Sequence, residues 1–114
     1  MSTHVIGRTA RALAAGALML AAAGPARAQQ GVTVQFFQFK PGQIEVEAGT
    51  RLTWTNQDDI THTVSSGTPE PRDGRFEVPL DGRGATGSVR LEQPGVYPYF
   101  CSRHQSMRGE IRVK

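Results

Sequence analysis

The stretch GVYPYFCSRHQSMRGEIRVK, residues 95–114, consists of two short apolar runs separated by a polar loop. The runs cover residues 96–101 and 110–114 and are rich in aromatic and β-branched side chains, which favours β-strands. Arg108 and Gly109 close the loop and let the chain turn into the second run. The stretch therefore predicts a strand, a loop and a final strand.

Similar runs recur through the chain upstream of this stretch. Ten Gly and six Pro interrupt residues 29–114 every few positions, and no segment keeps apolar residues at helical spacing for three turns. The runs lie at residues 32–39, 44–47, 51–55, 61–65, 75–78, 87–92, 96–101 and 110–114. Seven or eight short strands with turns between them predict an all-β fold, a Greek-key β-sandwich of two sheets.

Two of these runs are irregular. Within residues 32–39 the apolar positions change parity between Phe36 and Phe37, so we expect a bulge or a bend between sheets there. Pro98 interrupts residues 96–101 and has no N–H to donate to a neighbouring strand. We therefore expect Pro98 at a locally unpaired or edge position.

Residues 1–28 have the three parts of a secretory signal. A polar start with Arg8 and Arg11 is followed by an apolar run over residues 12–24 and by the small-residue end at residues 26–28. A membrane anchor is the alternative, but the run is shorter than the roughly 20 residues of a spanning helix. We expect cleavage after Ala28 and a periplasmic or secreted protein.

The charges of the chain depend on this cleavage. The whole sequence of 114 residues has a net charge of +3, but residues 29–114 hold ten basic and ten acidic residues. Nucleic acid binding loses its electrostatic support, and no stable membrane insertion is expected. The single Cys excludes an internal disulfide framework and a zinc site of several thiolates. The chain is too short for two domains, so we expect residues 29–114 to form one small domain.

Three soft or borderline metal ligands share the C-terminal loop. Cys101, His104 and Met107 are spaced three residues apart, which in an extended strand would spread them over roughly 20 Å. Only a loop that folds back can bring them to one point. His62 lies 39 residues before Cys101, where a polar turn enters a strand that a Greek key can place beside this loop.

These four residues are the only His, Cys and Met of residues 29–114. Each alone is more often structural, since a lone Cys or Met usually fills a core. Together, two His, one Cys and a weak axial Met make the set that holds copper in electron-transfer sites.

Residues 36–114 resemble a small blue copper protein, a cupredoxin of the plastocyanin, pseudoazurin and amicyanin group. The two-residue gap between His104 and Met107 is similar to the short ligand loop of amicyanin. The segments that carry the resemblance are FKP at 39–41, IEV at 44–46, LTWTN at 52–56, HTV at 62–64 and GVY at 95–97, followed by the ligand loop.

The resemblance implies one copper ion held by His62, Cys101 and His104, with Met107 as the long axial ligand. It implies a one-electron carrier that is not an enzyme, with Cys101 bound as a thiolate and backbone N–H groups near its sulfur. Thr63 departs from the family, which usually has at this place an Asn that bridges the two ligand loops, and a hydroxyl can make fewer such bonds.

The resemblance also places the second His at the surface, so we expect a monomer whose redox partner proteins dock around His104. Arg103 and Arg108 predict an acidic or neutral patch on such a partner. Asp58 and Asp59 are interpreted as a solvated turn.

Three other functions stay open from the residues alone. The first is copper delivery or storage in the export compartment with the same fold and metal. The second is a metal-free secreted binding domain. The third, nucleophilic catalysis by Cys101 and His104, is disfavoured because no oxyanion site is evident.

Overall fold

The computed structural model describes residues 28–114, so the predicted export signal lies outside the described residues apart from Ala28. Nine strands and no helix lie within this range. The strands are β1 (Gln29–Gln35), β2 (Gln38–Lys40), β3 (Gln43–Val46), β4 (Arg51–Asn56), β5 (His62–Gly67), β6 (Arg72–Leu80), β7 (Thr86–Arg90), β8 (Gly95–Phe100) and β9 (Arg108–Val113). Nothing in residues 28–114 forms a helix that could cross a membrane.

The strands form two mixed sheets. One has the order β2-β1-β4-β7 and the other the order β3-β9-β8-β5-β6. β1 pairs with β4 and β3 with β9 in parallel, and the other neighbours are antiparallel. The predicted all-β sandwich of two sheets is confirmed, with one more strand than expected.

The additional strand arises where the first predicted run divides. Phe36 and Phe37 both have positive φ, 54° and 58°, and form a two-residue turn that pairs Gln35 with Gln38. This is the backbone of a type I′ hairpin. The expected bulge or bend between sheets is therefore wrong, because β1 and β2 are neighbours in one sheet and the chain reverses between them.

The core lies between the two sheets and is built around Trp54, which is fully buried. The Tyr99 ring meets it edge-on at 5.5 Å between centroids, and a Cβ on Gly109 would overlap that ring. Gly109 thus lets β9 begin close against β8. The largest fully buried side chains are those of Trp54, Tyr99, Phe100, Leu52, Leu80, Ile111, His62, Val32, Val34, Val64, Asn56 and Cys101.

Pro98 is accommodated by incomplete strand pairing. It pairs with Glu110 of β9 on one side, but β5 meets β8 only through Ser65 with Phe100 and Ser66 with Tyr99. The expected locally unpaired position is confirmed on the side that faces β5, where no residue of β5 pairs with Pro98.

Candidate metal centre

His62 is the first residue of β5 and is fully buried. The loop before it is held by Asn56, the buried last residue of β4. The Asn56 amide donates to the carbonyls of Ile60 at 2.8 Å and Leu80 at 3.1 Å, and its oxygen accepts the Asp58 N–H at 2.9 Å. These bonds fix where β5 begins and therefore where the His62 side chain enters the core.

Asp58 fixes the orientation of the His62 ring. Its Oδ2 accepts a hydrogen bond from His62 Nε2 at 2.8 Å, so Nε2 carries a proton and Nδ1 is the ring nitrogen left to bind a metal ion. The same carboxylate accepts the backbone N–H groups of Phe36 at 2.8 Å and Phe37 at 3.0 Å. One side chain thus joins the β1–β2 turn to His62.

The solvated turn predicted for Asp58 is wrong, since its side chain is only 12% exposed. Partial burial by itself would raise the pKa of Asp58, but the hydrogen bonds from Phe37, His62 and Phe36 hold this pKa below its ordinary value. Asp59 matches the prediction of a solvated turn: its side chain is 80% exposed and pairs with Arg83 at the surface.

The loop after β8 folds back through three backbone hydrogen bonds. His104 N–H donates to Cys101 C=O at 3.3 Å, Met107 N–H to His104 C=O at 2.9 Å, and Cys101 N–H to Met107 C=O at 3.1 Å. The predicted return of the loop is confirmed. Cys101 and Met107 are both buried, whereas His104 lies partly exposed between them.

His62, Cys101 and His104 converge on one point. Cys101 Sγ lies 3.7 Å from His62 Nδ1 and 3.8 Å from His104 Nδ1, and the three ligand atoms all lie within 4.8 Å of one another. An imidazole nitrogen bound to zinc usually lies about 2.0 Å from the ion, and a thiolate sulfur about 2.3 Å. Two such atoms on one ion, with a trigonal angle between the two bonds, lie about 3.7 Å from each other. The separations therefore fit one small ion, and a thiolate with two imidazoles suits copper.

Thr63 joins the two segments that carry these ligands. Its backbone N–H donates to Cys101 Sγ at 3.4 Å, which is the expected backbone donor at the sulfur. Its hydroxyl oxygen accepts the Ser102 N–H at 2.8 Å. Thr63 therefore forms a bridge at the position where the resemblance predicts an Asn.

Phe37 covers the imidazole rings and was not found from the sequence. Its ring meets His104 edge-on with centroids 4.9 Å apart and meets His62 edge-on at 5.3 Å. The ring is nevertheless 49% exposed, so one side of it faces solvent. No local pattern pointed to this role, because Phe37 reaches the site only through the turn that Asp58 holds.

Residues 26–114 match the family model of copper binding proteins, plastocyanin/azurin family. The chain is 34% identical over 105 residues to amicyanin-alpha of Methylorubrum extorquens, an alignment that covers 90% of this chain and 86% of that protein. It is 30% identical over 84 residues to plastocyanin of Scenedesmus fuscus, covering 67% of this chain and 86% of that protein.

Solved structures share the fold. A purple cupredoxin from Nitrosopumilus maritimus superposes with a TM-score of 0.67 at 28% identity, covering 76% of this chain and 99% of that one. A reduced mutant of amicyanin superposes with a TM-score of 0.68 at 22% identity, covering 82% and 89% of the two chains.

Proposed function

Because this chain belongs to the plastocyanin/azurin family of copper binding proteins, we propose that it is an exported one-electron carrier with one copper ion as its redox cofactor. The observation that carries the proposal is the convergence of the His62, Cys101 and His104 ligand atoms within 4.8 Å. Bound copper supplies the Cu(II)/Cu(I) couple. We assign His62, Cys101, His104 and the buried Met107 as the residues that would hold it.

The residues around the ligands support electron transfer because they hold the ligands in place. Asp58 fixes the His62 ring, three backbone bonds close residues 101–107, and the Thr63 N–H points at the Cys101 sulfur. A site that stays in place when the charge of its metal changes needs little rearrangement on gaining or losing an electron. The same rigidity does not favour copper delivery, which requires release of the ion.

The absorption spectrum of the copper-loaded protein tests this function. We expect one copper per chain, an intense thiolate-to-copper band and reversible one-electron reduction. Cys101→Ser should abolish the band, while Ser102→Ala, one residue away, should retain it. Colourless Cu(I) binding with ready transfer to a chelator would instead indicate delivery or storage, and no stoichiometric copper would leave a metal-free binding domain.

We propose that residues 1–28 are an export signal and that residues 29–114 are the working domain. The family match over residues 26–114 leaves nearly all of the signal outside the copper-binding domain. Expression of the whole chain in a bacterium should give periplasmic protein whose first residue is Gln29. Recovery of an uncleaved chain in the membrane fraction would support the anchor alternative.

His104 is proposed as the point where redox partners dock. It is partly exposed and adjoins exposed apolar side chains, while Arg103 and Arg108 on either side of it are exposed cations. Charge and apolar surface together favour a partner with an acidic or neutral rim around an apolar centre. The exposed apolar side chains at this end are Phe36, Phe37 and Ile60.

Charge reversal tests the docking proposal. Arg103→Glu with Arg108→Glu should slow electron transfer with an acidic redox protein about tenfold at low salt, and the effect should shrink as salt screens the charges. The matched control is Arg51→Glu with Arg90→Glu. These two exposed residues pair with each other at the opposite end of β4 from Asn56. Equal effects of the two double variants would contradict docking at His104.

A further inference from the structure

The backbone nitrogen of Gln29, the first residue of β1, points away from the strand beside it. The Ala28 carbonyl accepts the Arg51 N–H at 3.0 Å, so this carbonyl faces β4. The C=O and N–H of one trans peptide point in opposite directions, and the Gln29 nitrogen belongs to the same peptide as the Ala28 carbonyl. On the side away from β4, β1 pairs with β2 only over residues 33–35. Within residues 28–114, therefore, no strand pairs with β1 on the side to which the Gln29 nitrogen points.

The first three residues of β1 are attached to the fold by strand pairing rather than by packing. Gln29, Gln30 and Gly31 are exposed, and Val32 is the first buried residue of the strand. The three exposed residues pair with residues 51–53 of β4. Cleavage after Ala28 would remove the carbonyl that accepts the Arg51 N–H, and with it one hydrogen bond to β4. Such a cleavage would make Gln29 an accessible strand end, the kind of segment that proteases attack first.

Cleavage would also turn the Gln29 nitrogen into a primary amine that can reach the side-chain Cδ of the same residue. Closing a five-membered ring within one residue is strongly favoured over a reaction between two molecules. In this step the amine nitrogen attacks Cδ, the N–Cδ bond forms and the Cδ–Nε2 bond breaks. The amide nitrogen leaves as ammonia with one proton from the amine, so no other reactant is consumed. The product is pyroglutamate, a neutral lactam in place of the charged amino terminus.

The lactam ring is compatible with the first position of β1. It contains the nitrogen and Cα of the residue, as the proline ring does, and a proline ring holds φ near about −65°. Proline is nevertheless tolerated at the first residue of a strand. Because the Gln29 nitrogen points away from β4, closing the ring breaks no hydrogen bond of the β1–β4 pairing.

We propose that Gln29 is a modification site, at which the exported chain closes its amino terminus to pyroglutamate. The proposal rests on the cleavage after Ala28 proposed above and does not depend on copper. The ring removes the free amine that aminopeptidases bind, and so it protects a strand end that only strand pairing holds. Without the ring, trimming can proceed through Gln29, Gln30 and Gly31 before it meets the buried Val32.

Intact mass and amino-terminal sequencing of the protein recovered from the periplasm test the modification. We expect residues 29–114 with the mass of one ammonia missing and no Edman sequence, and a pyroglutamate aminopeptidase should expose a sequence that begins at Gln30. Gln29→Asn is the matched control, because it keeps a primary amide but would need a strained four-membered ring, so it should be recovered unblocked at full mass. Gln30→Asn should stay blocked at Gln29, because the nitrogen of residue 30 remains in a peptide bond.

Digestion with a general aminopeptidase provides the second measurement. The parent should lose no residue under conditions that trim Gln29→Asn, and equal trimming of the two would overturn the protective role. A parent chain that keeps a free Gln29 at full mass after prolonged incubation at neutral pH would overturn the modification but leave the cleavage after Ala28 intact. A first residue other than Gln29 would overturn both the cleavage site and the modification. The absorption spectrum of the copper-loaded protein decides the proposed function separately in every case.

Discussion

The two imidazoles of the site present the same atom to the same sulfur but are held very differently. His62 Nδ1 and His104 Nδ1 lie 3.7 and 3.8 Å from Cys101 Sγ. His62 begins a strand, is fully buried and donates its other ring nitrogen to Asp58. His104 lies in a loop and is partly exposed, and within residues 28–114 nothing forms a hydrogen bond with its Nε2.

This difference separates two tasks within one site. The His62 ring is fixed by burial and by a carboxylate that is itself held by two backbone N–H groups. The His104 ring is positioned by the turns of its loop and by the edge of Phe37. We infer that His62 anchors the metal to the fold and that His104 is the ligand through which a partner meets it.

The largest predicted difference between His62 and His104 is in the stability lost when each imidazole ring is removed. His62→Ala leaves a cavity in the core and an Asp58 carboxylate without its imidazole, so we expect a loss of about 3 kcal/mol in the free energy of unfolding of the metal-free protein. His104→Ala removes a partly exposed ring and should cost less than about 1 kcal/mol. Both variants should lose tight copper binding. Denaturant titration of the metal-free proteins measures the difference, and equal losses would show that burial does not distinguish the two ligands.

Asp58→Asn breaks the anchor of His62 without removing a ligand. Because the pKa of Asp58 is lowered in the folded protein, its carboxylate stabilises the fold fully above the ordinary pKa of 3.8, and this stabilisation is lost as the pH falls through the lowered value. We expect Asp58→Asn to be less stable by about 2 kcal/mol at pH 7, the scale of hydrogen bonds to a charged group.

The pH dependence distinguishes this account from a general packing defect. Unfolding free energies of the parent and of Asp58→Asn should converge only as the pH falls from 3.8 through the lowered pKa of Asp58, where the parent carboxyl becomes protonated in the folded protein as well. Asp59→Asn is the matched control and should change the stability much less, because the Asp59 side chain is 80% exposed. A difference between parent and Asp58→Asn that stays constant down to acid unfolding would contradict the role of the charge.

The contrast between the two rings also shows what the sequence could and could not predict. The strands follow from short apolar runs, and the predicted ligand set rests on the scarcity of His, Cys and Met. Asp58 was misjudged because its partners lie 21 and 22 residues away on β1–β2, beyond any local pattern. A hairpin turn made of two Phe has no glycine to mark it, and its positive φ values are supported by that distant carboxylate.

Thr63 shows the same limit in a different form. A residue-by-residue comparison with a family Asn counts only the bonds that one side chain can make. The structure surrounds Thr63 with Ser65 and Ser102, one on its own strand and one on the facing loop, and the Thr63 hydroxyl forms a hydrogen bond with each. These bonds depend on the neighbouring residues, so they become visible only when the strands are in register.

The smallest predicted effect tests the weaker hold on His104. Phe37→Ala removes the ring that meets both imidazoles edge-on, whereas Phe36→Ala removes a ring that is 69% exposed and lies under Lys40 Nζ at 4.9 Å. Both positions have positive φ, so the backbone cost of the two substitutions is closely matched. We expect Cu(I) release about fivefold faster from Phe37→Ala, equivalent to about 1 kcal/mol of aromatic contact, and little change from Phe36→Ala. Equal release rates would mean that the loop turns alone hold His104, and Phe37 would then only shield the ring from solvent.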